Sequence, residues 1–367
     1  DNLPLNLFKI GIFLLPTAFV LSSIFLLISA LLASLKRSRK YFKDSWNYPL
    51  FITSFLMIIS SFTNKFYHQK NTNFQNWDSN LALLDLANWL PFFFLFWAFG
   101  EFLGTTKLRK ECAICFISGS LPLLISGFVQ LLTSIHGPFE LFNGLLIWYQ
   151  RAIDKNDGVS SIFNNANYYG SWLLIIWPFS LASFIQTKAK NYKNKFIGLL
   201  LLIAIATSIV LTRSRSAWGA LSISIPLMLG TGSFIWFIPT LIIIFTLIFL
   251  SVFPINYEIQ LFIQSIVPSQ FWKEFSSEEF INPVRELRIN IWIGALNFIK
   301  SQPFIGLGAG LFPILYLLQS GNWVGHTHNI FLELAFNYGI LTSIILFIFI
   351  ISLVYRSYKK INNKEFL

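Results

Sequence analysis

Two histidines stand two residues apart in H-T-H-N, His326 and His328, immediately ahead of an apolar run of helix length. Two arginine pairs precede them, Arg213 with Arg215 and Arg285 with Arg288. Arginine suits diphosphate, because its planar fork donates two parallel charge-assisted hydrogen bonds and stays charged at any working pH. An imidazole with an ordinary pKa of about 6.5 suits proton abstraction at neutral pH. His328 is favoured as the base, since Asn329 and a helix start directly after it would fix its position. The histidines could chelate a metal, but they supply only two ligands and no carboxylate stands at the helical offset of H-E-x-x-H, so no metal is expected.

Each of these residues also has a plainer reading. Arg213 and Arg215 could snorkel to lipid headgroups. An i, i+2 pair cannot follow one lipid-facing stripe, however, so at least one should point into a bundle, where an ionisable group is a functional candidate by default. Arg285 and Arg288 fall i, i+3 on what reads as a helix over 283–300. Arg285 could simply pair with a neighbouring glutamate, whereas Arg288, with Trp292 one turn on, is the better ligand contact. The histidines could be packed or hydrogen-bonded within the fold. Asn164, Asn165 and Asn167 close a loop, with Asn167 placed to touch a substrate hydroxyl, and Asp85 reads as a helix cap. The run P-F-I-G-L-G-A-G at 303–310 lacks the strand and βαβ context of a dinucleotide site, so it reads as a bare-backbone turn whose amides could face an anion. Cys112 and Cys115 have no second pair and fit ordinary helix packing.

The elements that must position these residues are helices in lipid. Of 367 residues, 55% are hydrophobic and only 12% charged, against roughly 25% charged in soluble domains. Repeated apolar runs are long enough to cross a hydrocarbon core of about 30 Å. The expectation is an all-α, polytopic transmembrane helix bundle of nine or ten spans, forming a single integral membrane domain over 1–367. Binding of nucleic acid is excluded, because the net charge of +11 sits in short clusters between apolar runs and not on a soluble face. Those clusters, near 36–43, 107–110, 188–195 and 356–364, lack acidic partners and mark the cytoplasmic side. Residues 254–327 are charge-balanced and read as a long external loop with helices of its own, between the last two spans and covering the site. All four histidines and both arginine pairs then lie on the outer side. The loop over 136–167, aromatic and of mixed charge, reads as a surface helix at the outer interface, and the final span is expected over 330–354. The chain begins at Asp1 with no cleavable signal pattern, which leaves room for a short leader or half-helix ahead of it.

Taken in order, L-T-R-S-R-S-A-W at 211–218, R-x-x-x-W at 288–292, P-x-x-G-x-G-x-G-x-F at 303–312 and H-T-H-N-I-F-L-E-x-x-x-N-Y-G at 326–339 resemble the O-antigen ligase and polymerase superfamily of bacterial membrane proteins. F-x-N-x-N at 163–167 is similar to that family's pattern too. The resemblance implies a multi-span glycosyltransferase of the bacterial inner membrane with its active face periplasmic, needing no nucleotide sugar, metal or other cofactor. Its donor would be an undecaprenyl diphosphate-linked glycan. Its acceptor would be the lipid A core in the ligase branch and another glycan in the polymerase branch. Carried over by position, Arg215 and Arg288 are expected at the diphosphate and His328 as the base that deprotonates the acceptor hydroxyl. Arg213, Arg285, His326, Asn167 and Asn329 are expected around the substrate. A transporter of the bicarbonate-uptake type resembles the same superfamily and is the rival, although the unusual charges gather at one face and the two halves do not mirror each other as transporter repeats often do.

Overall fold

The computed structural model describes residues 2–69, 77–133, 135–153, 158–188, 190–253, 256–267, 272 and 288–362. It is an all-α helical protein with one short antiparallel hairpin among the described residues. The chain divides into two compact units, Asp1–Ala33 with Glu101–Phe280, and Ser34–Gly100 with Ile281–Leu367.

Among the described residues six helices are long and apolar enough to cross a membrane, Leu81–Phe99, Thr106–Leu132, Ala166–Gln186, Tyr192–Leu211, Phe234–Val252 and Ile340–Lys360. The other runs expected as spans fall short in length or apolarity. Leu3–Leu14 and Phe19–Leu35 are apolar but brief, Arg215–Leu229 has 15 residues, and Asn47–Gln69 carries Asn64, Lys65 and His68 toward its end. The run read as one final span is interrupted at Gly339, with a helix Ile330–Tyr338 before it and a 23-residue helix Ile340–Asn362 after it.

In the first unit, Pro16 separates Leu3–Leu14 from Phe19–Arg37. Proline cannot extend the preceding helix's hydrogen bonds. The two segments fold back on each other, since the Ser22 hydroxyl donates to the Gly11 carbonyl at 2.7 Å and the Ser29 hydroxyl to that of Pro4 at 2.7 Å. The core is built from Leu123, Tyr169, Leu173, Ile176, Ile205 and Ile209. Residues 136–153 do not form the surface helix expected of them. Phe139–Leu141 pairs with Leu146–Trp148, Phe139 opposite Trp148. The turn between them has φ of +54°, +52° and +86° at Phe142, Asn143 and Gly144, and Asn-Gly is the dipeptide that accepts such a backbone most readily. Aromatic and β-branched residues on either side then favour a strand pair over a helix.

In the second unit, Arg288–Ser301, Phe312–Ser320 and Ile330–Tyr338 bury Ile291, Ala295, Phe312, Tyr316 and Phe336 together. The glycine run packs into this core. Gly306 and Gly339 have φ of +74° and +92°, and a Cβ at Gly339 would fall on the Phe304 carbonyl. Ile340 N–H donates to Pro303 O at 2.8 Å and Leu307 N–H to Phe336 O at 2.7 Å. The turn is bare-backbone as expected, but two of its amides, those of Leu307 and Gly308, are taken by the carbonyls of Phe336 and Asn337.

Candidate active site

The histidine turn is held by the residues that alternate with its imidazoles. Thr327 is fully buried. Its amide donates to Glu333 Oε2 at 2.8 Å, and its hydroxyl donates to the Asn329 carbonyl at 2.9 Å. Asn329 is extended and caps Ile330–Tyr338, its Oδ1 accepting from the amides of Phe331 at 3.0 Å and Leu332 at 3.3 Å. Such a cap is satisfied locally, so the helix start is fixed by the same few residues that carry the histidines. With Thr327 turned inward, His326 and His328 are both exposed, their ring centroids 4.2 Å apart and their planes tilted by 54°.

His328 adopts φ +54°, a left-handed conformation that costs a non-glycine residue energy and that tends to persist where the surroundings enforce it. Its pKa lies below the ordinary value, chiefly through partial burial, then through His326 and the Arg288 guanidinium. The imidazole is therefore neutral at neutral pH and able to accept a proton. Arg288 opens its helix, one turn ahead of the buried stripe Ile291, Ala295 and Ile299, and its own side chain is exposed. Trp292 is 36% exposed beside it. The second unit thus brings His326, His328, Asn329 and Arg288 into one neighbourhood. Arg285 lies outside the described residues.

The first unit gathers the other candidates at one of its ends. Thr212, Arg213 and Ser214 turn the chain between Tyr192–Leu211 and Arg215–Leu229. Thr212 and Ser214 are buried while Arg213 and Arg215 are half-buried. Arg213 has φ +54°. The Trp218 indole donates to the carbonyls of Ile209 at 3.2 Å and Val210 at 3.1 Å, which ties the arginine helix to its predecessor. Gly170 lets Ala166–Gln186 approach this turn, since a Cβ there would lie 3.1 Å from Ala217 and 3.3 Å from the Thr212 hydroxyl. Asn165 caps that helix by accepting from the Asn167 amide at 2.7 Å, and the Asn167 side chain is exposed one turn from the arginines' loop.

Sequence reasoning missed two supporting residues. Glu333 holds the Thr327 amide, and its visible signal was a carboxylate just inside a helix capped by asparagine, a pattern akin to a capping box. Gln130 is buried and uses both ends of its amide, accepting from the amides of Ser160 and Ser161 and donating to Arg151 O and Ser160 Oγ. It secures the strand of chain whose Val159 amide donates to Leu211 O at 3.0 Å, directly before the arginine turn. Nothing local marks a glutamine for that task. Asp85 is the C-cap residue of the short helix Leu81–Leu84, and its carboxylate also accepts from the Tyr338 hydroxyl and the Asn88 side chain. Cys112 is buried in Thr106–Gly119 as packing residue, and both cysteines are free thiols. Among the described residues no three His, Cys, Asp or Glu side chains are grouped to hold a metal.

Residues 199–355 match the family described as O-antigen ligase. The matched stretch takes in both arginine pairs and the histidine turn, and leaves out Asn167. The ComP-specific O-oligosaccharyltransferase of Acinetobacter baylyi is 27% identical over 203 residues, 53% of this chain and 35% of that protein. The chain thus spans about a third of the length of that relative. Both comparisons bear out the resemblance to the O-antigen ligase superfamily.

Proposed function

From the O-antigen ligase match as premise, we propose that the protein is a glycosyltransferase that moves a glycan from an undecaprenyl diphosphate carrier to an acceptor hydroxyl at the outer leaflet of the bacterial inner membrane. His328 takes the proton of the acceptor hydroxyl. The freed oxygen attacks the anomeric carbon, the bond from that carbon to the diphosphate breaks, and the diphosphate leaves as an anion. Arg288 and Arg215 neutralise the charge that grows on it, which is where preorganised donors contribute most to rate. Arg213, Arg285, His326, Asn167 and Asn329 are assigned to substrate binding.

The observation that carries this reading is the placement of His328 on a turn anchored by Thr327, Glu333 and Asn329, with Arg288 near enough to help lower its pKa. A base next to a cation fits a reaction that removes a proton from one partner and leaves negative charge on the other. The acceptor is the lipid A core, with a growing glycan as the alternative, and the oligosaccharyltransferase relative supports transfer to an oxygen. Residues 254–327, described over 256–267, 272 and 288–327, are assigned the role of external cover.

The test is transfer by purified full-length protein in liposomes, from undecaprenyl diphosphate-linked glycan to a panel of lipid A core, free glycan and serine peptide. Loss of a general base typically costs about 10²–10⁴-fold, so His328→Ala should lose at least about 100-fold, with Arg288→Ala and Arg215→Ala similarly impaired. EDTA should leave the wild type unaffected. Full activity in His328→Ala would remove the mechanism. Uptake of labelled bicarbonate into the same liposomes, without transfer, would establish the transporter instead.

A further inference from the structure

The basic end of the last helix carries a feature that glycan transfer does not use. A groove of about 650 Å³ opens between Ile340–Asn362 and the start of Asn47–Gln69, both within the second unit. Its volume is that of a small-molecule site, typically about 300–1,000 Å³. On the last helix the wall is a single stripe of i, i+3, i+4 spacing, with Ile345, Ile348 and Phe349 at one end and Tyr355, Arg356 and Lys359 at the other. Trp46, directly before the earlier helix, and Tyr48 and Ile52 on it face the groove. The groove is thus apolar along its length and turns cationic at one end.

Its charge is one-sided. Arg356 sits 4.4 Å from the centroid of the Trp46 ring, a cation–π contact that fixes where the guanidinium stands. Among the described residues no carboxylate lines the groove, and Asp44, next to it in sequence, accepts a hydrogen bond from the Trp46 amide at 3.1 Å. From Ile345 to Lys359 the helix rises about 21 Å, the depth of one leaflet's half of a roughly 30 Å hydrocarbon core plus its headgroup layer. Tryptophan and tyrosine at the charged end are the side chains that settle at a membrane interface. The histidine turn leads into Ile330–Tyr338, which meets this helix near its Ile340 end, where the Ser343 hydroxyl donates to the Phe331 carbonyl at 2.8 Å.

We propose that this groove binds an anionic glycerophospholipid, with an acyl chain along Ile52, Ile345, Ile348 and Phe349 and the phosphate on Arg356 and Lys359. Basic pockets between spans at the positively charged side recognise such headgroups. The site is independent of the glycosyl transfer proposed above. Full-length protein in neutral detergent is given equal amounts of phosphatidylglycerol and phosphatidylcholine with identical acyl chains, and retained lipid is read by native mass spectrometry. The wild type should favour phosphatidylglycerol, each cation contributing about fivefold. Arg356→Gln with Lys359→Gln should bring the ratio near one, and Lys359→Gln alone, at an exposed position, should give an intermediate ratio. Equal retention by the wild type, or an unchanged ratio in the double variant, overturns the proposal.

Discussion

His328 depends on its neighbours in a way that can be read from a pH profile. Burial, His326 and Arg288 all favour its neutral form and lower its pKa. A base works when unprotonated, so kcat/KM should rise with pH through a midpoint below the ordinary histidine value of about 6.5 and then level off. Replacing Arg288 by glutamine removes a positive charge, and replacing His326 by glutamine removes another titrating ring. Each should move the midpoint upward, toward the ordinary value, whatever happens to the plateau. A midpoint that stays in place in both variants would mean that burial alone sets it. The types and spacing of these residues were legible in the sequence, and so was the favoured position of His328 beside a helix start. What held them was not, because Thr327 is an unremarkable letter until its amide is seen on Glu333 and its side chain is seen fully buried.

At the scale of elements, the joint at Gly339 is the most exacting. The run from Ile330 through Ile351 is apolar on both sides of Glu333, Asn337 and Gly339, and read by its apolar content it passes for one span. The break follows from a backbone conformation that only glycine adopts without strain and from the approach of the Phe304 carbonyl. Gly339→Ala should therefore lower stability by roughly 2–4 kcal/mol, the sum of a strained φ and a forced shift of packed backbone, read as a fall in the unfolding temperature of the full-length protein in detergent. Gly321→Ala is the control, because its φ is +75° but nothing lies near a Cβ there, so it should pay the strain alone and lose less. Equal losses would show that the Phe304 contact costs nothing. The bareness of the glycine run was visible beforehand, whereas its partner, some thirty residues away at the end of Ile330–Tyr338, was not, since local composition does not encode which distant backbone a turn receives. The hairpin at 139–148 is the reverse case, because Asn143-Gly144 was a legible turn signal that aromatic and charged neighbours obscured.

For the whole molecule, composition and charge placement were enough to read an all-α bundle in lipid. Among the described residues six helices have the length and apolarity of a span, because apolar runs such as 7–35 and 218–230 are divided or brief. Orientation rests on a different signal, the confinement of unpaired lysine and arginine to alternate connections, which retain their side of the membrane because moving them across is costly. That signal makes a definite prediction about sidedness. In a background with Cys112→Ala and Cys115→Ala, single cysteines at Phe142, the exposed tip of the hairpin, and at His326 should react in intact cells with a membrane-impermeant maleimide. A cysteine at Lys188, on the far side of the Ala166–Gln186 helix from the hairpin, should react only after the membrane is opened. Because Phe142 and Lys188 flank one membrane-crossing helix of 21 residues, labelling of both in intact cells would rule out that helix as a span. Labelling of Lys188 with protection of His326 would invert the protein and place the histidine turn on the cytoplasmic face, where a donor carried in the outer leaflet could not reach it.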